Sequence, residues 1–132
     1  MRRIRELLGD ERGSSPVEFV LVGTLLTFLT LAVLQLALAI YVRNVVHDAA
    51  VEGAFHAALA DTSLAQGADR TRAIVTRAVG AEYAADITVT ETGTGDRPEV
   101  EVTVRTTLPL LGLLGVPRLL EVTAHAPAES FD

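Results

Sequence analysis

An uninterrupted apolar run near the amino terminus constrains this chain more than any other feature. From Phe19 to Val42, 24 consecutive residues carry no charge and are mostly Leu, Val, Ala, Phe and Thr. A helix of that length covers about 36 Å at ~1.5 Å per residue, which exceeds the ~30 Å hydrocarbon core of a bilayer. The sequence therefore predicts one transmembrane helix, which we place at residues 14–42.

Charge is distributed unevenly around this run. The first 13 residues are slightly basic, whereas residues 43–132 contain 7 Arg and 13 acidic residues, a balance of −6. Because basic residues beside a spanning helix tend to stay in the cytoplasm, we expect a cytoplasmic amino terminus and an extracytoplasmic domain at residues 43–132. Nucleic acid is not an expected partner, since phosphate contacts need clustered cations.

The start of the apolar helix carries a capping pattern. With Ser15 as N-cap, Pro16 falls at the first helical position and Glu18 at the third, which together form a capping box. We expect the helix to continue beyond the membrane over residues 43–61, because that segment is rich in Ala and contains no Pro. Small residues at Ala49, Gly53 and Ala57 recur every four positions, and such a stripe lets another helix or a sheet approach closely.

The remainder predicts an α+β domain with a second short helix at residues 69–83 and a three-stranded antiparallel sheet. Alternating residues predict strands at about 87–92, 99–107 and 120–126, with a turn at 92–98 between the first two. In the second strand, Val100, Val102 and Val104 alternate with polar residues. In the third, Leu120 begins the buried face. Such a meander has one face for the two helices to cover.

The connection at residues 108–117 is very apolar for a loop. One interpretation tucks it under the sheet to complete a small core, and the other leaves it exposed to a partner or a membrane.

The sequence contains no pattern typical of an enzyme. There is no Cys, no nucleophile-elbow motif and no phosphate-binding Gly-rich loop, so no cofactor and no small-molecule substrate are expected. His47 and His56 are nine residues apart, on opposite sides of a helix, so no metal site is expected either.

The junction ERGSSPVEFVLV at residues 11–22 resembles the amino-terminal signature of type IV pilin-like proteins. More narrowly, it is similar to the TadE-like family of small pseudopilins from tight-adherence (Flp-type) pilus systems. The shared elements are a short charged leader ending in Gly13, a Glu as the fifth residue beyond it, and an apolar helix headed by Phe19. The DAAVEGA stretch at residues 48–54 resembles the continuation found in that family.

The resemblance implies a structural or assembly role. Residues 1–13 would be a cytoplasmic leader removed by a membrane prepilin peptidase at the Gly13–Ser14 bond. Glu18 would then pair with the free amine of Ser14 on a neighbouring subunit and set the axial register. The implied partners are the membrane, the peptidase, and other pilin or pseudopilin subunits and pilus assembly proteins.

Two other functional classes stay open on the sequence. The chain could keep its leader and act as a signal-anchored, single-pass membrane protein whose outer domain binds an extracytoplasmic partner. A secreted protein cleaved after Ala39 is disfavoured, because the apolar stretch before that site is about 21 residues, longer than the ~7–15 residues of a signal peptide.

Overall fold

The computed structural model describes residues 14–108 and 120–129, and its elements give the predicted α+β fold. Helix α1 spans Ser14–Ala58, helix α2 spans Leu64–Ala78, and a 3-10 helix spans Ala81–Ala84. The strands are β1 at Asp86–Thr94, β2 at Arg97–Thr106 and β3 at Leu120–Pro127. They form one antiparallel sheet in the order β1-β2-β3. The fold class predicted from the sequence is therefore confirmed.

The chain divides into two compact units, one ending at Gln35 and the other beginning at Leu36. The division lies seven residues before the domain start predicted at residue 43. Helix α1 contributes to both units, and within the second unit its residues Ala39 and Val42 are buried. The predicted division into a leader, a span and a domain stays a prediction.

One hydrophobic core organises the second unit. The alternation predicted for β2 and β3 is present, since Val102 pairs with Ala124 in the register and both are buried. Helix α1 supplies a run of small residues to the same core, and α2 supplies Val75. The other face of the sheet is polar: Thr103 and Thr123 place their hydroxyl oxygens 3.3 Å apart, and Arg105 bonds Glu121 over 2.9 Å. The two faces thus match a sheet that is covered on one side.

The second helix differs from its predicted range of 69–83 at both ends. It begins at Leu64 because Ser63 forms a capping box with Gln66. The backbone amide of Gln66 donates to Ser63 Oγ over 3.3 Å, and the backbone amide of Ser63 donates to Gln66 Oε1 over 2.8 Å. Gly67, which precedes the predicted range, lies within the helix. The helix ends at Ala78, and Gly80 has a φ of +124°, a conformation that turns the chain out of the helix.

The end of α1 and the bounds of the strands also differ from prediction. Helix α1 ends at Ala58 rather than 61, where Thr62 Oγ1 donates to the carbonyl of Leu59 over 3.0 Å and also to that of His56. The turn between β1 and β2 is limited to residues 95–96, because Thr94 still pairs with Arg97. Of the apolar connection at residues 108–117, Leu108 packs against the core, and residues 109–117 lie outside the described residues.

Candidate membrane and assembly helix

The first part of α1 exposes large apolar side chains around its whole circumference. Phe19 is 79% exposed, and the Leu, Val and Phe residues that follow it are exposed as well. Helix α1 is the one helix among the described residues that is long and apolar enough to cross a membrane, and only 6% of its most apolar window is buried. The core helix of a soluble protein would be mostly buried, so this pattern favours a membrane anchor.

The hydroxyl groups in this part of α1 are satisfied within the helix. Thr24, Thr27 and Thr30 each donate to the carbonyl oxygen four residues earlier, over 2.7 Å, 2.8 Å and 2.8 Å. In hydrocarbon an unpaired hydroxyl has no water to bond, and its burial costs free energy. These internal bonds let three polar residues occupy an apolar span.

The junction residues lie at the start of α1. Gly13 is outside the described residues, and Ser14 is the first described residue of the helix. Ser15, Pro16 and Glu18 follow within the first turns and are exposed. The capping role predicted for Ser15 and Glu18 stays a prediction, because the residues before Ser14 lie outside the described part of the chain. Pro16 still fits, since the first turn leaves its backbone amides without intrahelical partners.

The predicted small residues of α1 lie in the core of the second unit. Ala49, Gly53 and Ala57 are all buried. A Cβ added to Gly53 would overlap Thr71 Oγ1 and approach the Gly67 carbonyl oxygen to 2.9 Å. Helices α1 and α2 thus approach each other closely at Gly53 and Gly67, which have no side chains, and this contact fixes α2 against α1.

Sequence reasoning missed the partners on α2. Thr71 is fully buried, and its hydroxyl donates to the Gly67 carbonyl over 3.0 Å. The spacing of Gly67 and Thr71 is a small-xxx-small pattern that could have indicated the contact. Glu52 of α1 bonds Arg70 of α2 over 2.9 Å. Both partners are about half exposed, so this ion pair contributes little stability.

Charged groups elsewhere are ordinary surface pairs. The described residues contain no group of His, Asp and Glu arranged to hold a metal ion. His125 Nδ1 lies 3.7 Å from a Glu101 carboxylate oxygen on the polar face of the sheet. The side-chain hydrogen bond with Glu121 and the charge of that carboxylate raise the pKa of Arg105.

An apolar exposed helix that continues into a small α+β domain is typical of proteins with one amino-terminal membrane anchor. Residues 13–54 of this chain match the model of the TadE-like protein family, which confirms the resemblance predicted from the sequence. The match begins at Gly13 and includes the apolar run and the stretch at residues 48–54. Proteins of that family are associated with tight-adherence (Flp-type) pili. No curated protein and no solved structure matches the chain significantly.

Proposed function

We propose that this protein is a minor pilin or pseudopilin, a structural or assembly subunit of a tight-adherence pilus or a related secretion apparatus. The family match that starts at Gly13 carries the proposal. The exposed apolar helix supports it, because its large apolar side chains, which are exposed in the described part of the chain, are available to lipid or to neighbouring helices. The function is then packing rather than catalysis.

The proposed topology places residues 1–13 in the cytoplasm and the α+β domain outside the membrane. Four Arg residues precede the apolar run, and the domain that follows is acidic. The positive-inside tendency supports this orientation. The mature protein would reside in the cell membrane until it is incorporated into a surface pilus.

Glu18 and Ser14 would form the register contact between subunits. Glu18 lies close to the start of an apolar helix, where an ionised carboxylate without a partner is costly. Cleavage at the Gly13–Ser14 bond would create an amine at Ser14, and that amine on one subunit can pair with Glu18 on the next. A charged pair inside an otherwise apolar bundle is favourable at one axial offset only.

The test is the intact mass of the membrane-extracted protein, expressed with and without a cognate prepilin peptidase. We expect the loss of residues 1–13 only when the peptidase is present. Gly13→Leu should abolish the loss of residues 1–13, because the leucine side chain would prevent the backbone from extending into the peptidase cleft. Gly23→Leu is the matched control, because no heavy atom lies within 4 Å of the added Cβ position, and this variant should be processed normally.

A signal-anchored binding protein is the alternative function. It makes the opposite prediction, a full-length mass with or without the peptidase. That result would leave residues 14–18 as an ordinary helix start, and the outer domain would then act on an extracytoplasmic partner.

A further inference from the structure

Beyond Val42, two large apolar side chains are exposed among the described residues, Phe55 near the end of α1 and Leu59 directly after it. Phe55 is 56% exposed and Leu59 is 41% exposed. They are four residues apart, and because Leu59 directly follows the last turn of α1, both lie toward the same side of it. Each is two residues from a position packed against α2, Gly53 or Ala57, and two residues rotate a helix face by about 200°. Phe55 and Leu59 therefore point away from α2.

Acidic side chains accompany this apolar pair. Asp48 and Glu52 are exposed and lie on the same side of α1 as Phe55 and Leu59, at successive spacings of four, three and four residues. Glu52 bonds Arg70, whereas Asp48 has no ion pair among the described residues. We call Asp48, Glu52, Phe55 and Leu59 the α1 outer face.

Helix α2 presents a surface of complementary chemistry. Opposite its buried residues it exposes small side chains at Ala73 and Thr76, with Arg72 and Arg77 on either side. Arg72 bonds Asp69 over 2.9 Å, and Arg77 has no carboxylate partner in the described part of the chain. We call Arg72, Ala73, Thr76 and Arg77 the α2 outer face. Small residues leave room for Phe55, and the cations match the acids beside it.

We propose that the α1 outer face of one copy docks on the α2 outer face of a second copy. The proposal rests on the proposed function, because a shared membrane holds the copies parallel. An isologous contact between two α1 outer faces would bring Asp48 against Asp48, and like charges disfavour it. The contact is therefore heterologous. The first copy then still has a free α2 outer face and the second a free α1 outer face, so the contact propagates into a row.

The described contacts also require an axial stagger in that row. Within one copy, Gly53 is level with Gly67 and Thr71. Two contacts between copies would form together, Phe55 with Ala73 of the neighbour and Asp48 with Arg77 of the neighbour. Both form only if the neighbour is displaced along α1 by roughly 5–10 Å, which is one to two helical turns. A stagger of this kind builds an ascending row rather than a flat ring.

Cysteine crosslinking tests the contact directly, because the natural chain contains no Cys. Full-length F55C and A73C chains, carrying different tags, are expressed together in membranes of a host without other pilus proteins and treated with a short bismaleimide. We expect a crosslinked species that carries both tags. A73C combined with Thr90→Cys, an exposed site on the polar face of the sheet, is the control and should give only background.

Charge reversal separates this contact from random collision. Asp48→Arg in the F55C chain alone and Arg77→Asp in the A73C chain alone should each reduce the crosslink to background, and the two changes together, one in each chain, should restore it. F55C–F55C dimers as the main product would overturn the proposal. A crosslink yield that does not change with the charge reversals, or no crosslink at all, would overturn it as well. The host lacks a prepilin peptidase, so these results are independent of whether the leader is cleaved.

Discussion

The backbone amide of Glu129 donates a hydrogen bond over 2.8 Å to the carbonyl oxygen of Ala58, the last residue of α1. The adjacent amide of Ala128 donates to the Pro98 carbonyl over 2.9 Å. The last four carbonyls of a helix have no intrahelical partner, so the tail supplies a bond that α1 cannot make for itself. The carboxyl end thereby joins α1 to the start of β2.

Truncation after Pro127 should destabilise the domain, because it removes both amides. We expect the free energy of unfolding to fall by about 1–3 kcal/mol, since one such bond contributes ~0.5–1.5 kcal/mol net. Limited proteolysis of the detergent-solubilised protein across a urea series would report the midpoint. Truncation after Glu129 keeps both bonds and is the control. Equal losses in the two variants would contradict the role of the tail.

Gly53→Ala should also destabilise the domain, although Ala is the better helix former by up to ~1 kcal/mol. The added methyl group would overlap Thr71 Oγ1 and crowd the Gly67 carbonyl, so we expect a net loss of about 1–3 kcal/mol. The same urea series measures it. Thr71→Ala in the Gly53→Ala background removes the overlapping oxygen and should recover part of the loss. Strict additivity of the two changes would argue against the contact.

The fold and the helix contacts were not equally predictable from the sequence. The alternation of Val100, Val102 and Val104 predicts a half-buried strand because side chains of a strand alternate between its faces. The predicted start of the second helix came after Gly67, although Gly67 lies within that helix. Its role is the close contact with Gly53, a residue 14 positions earlier that local sequence patterns do not connect to it. The bond from Glu129 to Ala58 is a longer-range contact of the same kind.

The loss of the Ser63 cap should have a separate, smaller effect. Ser63→Ala removes the oxygen that accepts from the Gln66 amide, and we expect a loss of about 0.5–2 kcal/mol in the free energy of unfolding. Ser63→Asp keeps an accepting oxygen and should stay near the natural protein. The measurement is again the urea midpoint, and equal losses for Ala and Asp would refute the capping role.

Two glycines of the β1–β2 hairpin, Gly93 in β1 and Gly95 in the turn, should respond differently to substitution by Asn. Gly95 has a φ of +42°, which Asn adopts readily, and an added Cβ there meets no atom within 4 Å. We expect G95N to change stability by less than about 0.5 kcal/mol. Gly93 has a φ of +95°, and its Cβ would collide with the Arg97 carbonyl, so G93N should cost about 1–3 kcal/mol. Comparable midpoints for the two variants would refute this distinction.

Single cysteines can also establish the orientation, because the natural chain has none. Thr90 is exposed on β1, and T90C should react in intact spheroplasts with a membrane-impermeant maleimide if the domain is extracytoplasmic. Asp10→Cys in the leader should react only after lysis, in a host that lacks a prepilin peptidase and so retains residues 1–13. Four Arg precede the apolar run, and moving such charges through a bilayer is costly, which is why we expect this asymmetry. Labelling of D10C but not T90C before lysis would reverse the topology. It would also place the acidic domain in the cytoplasm, where it could not contribute to a surface pilus.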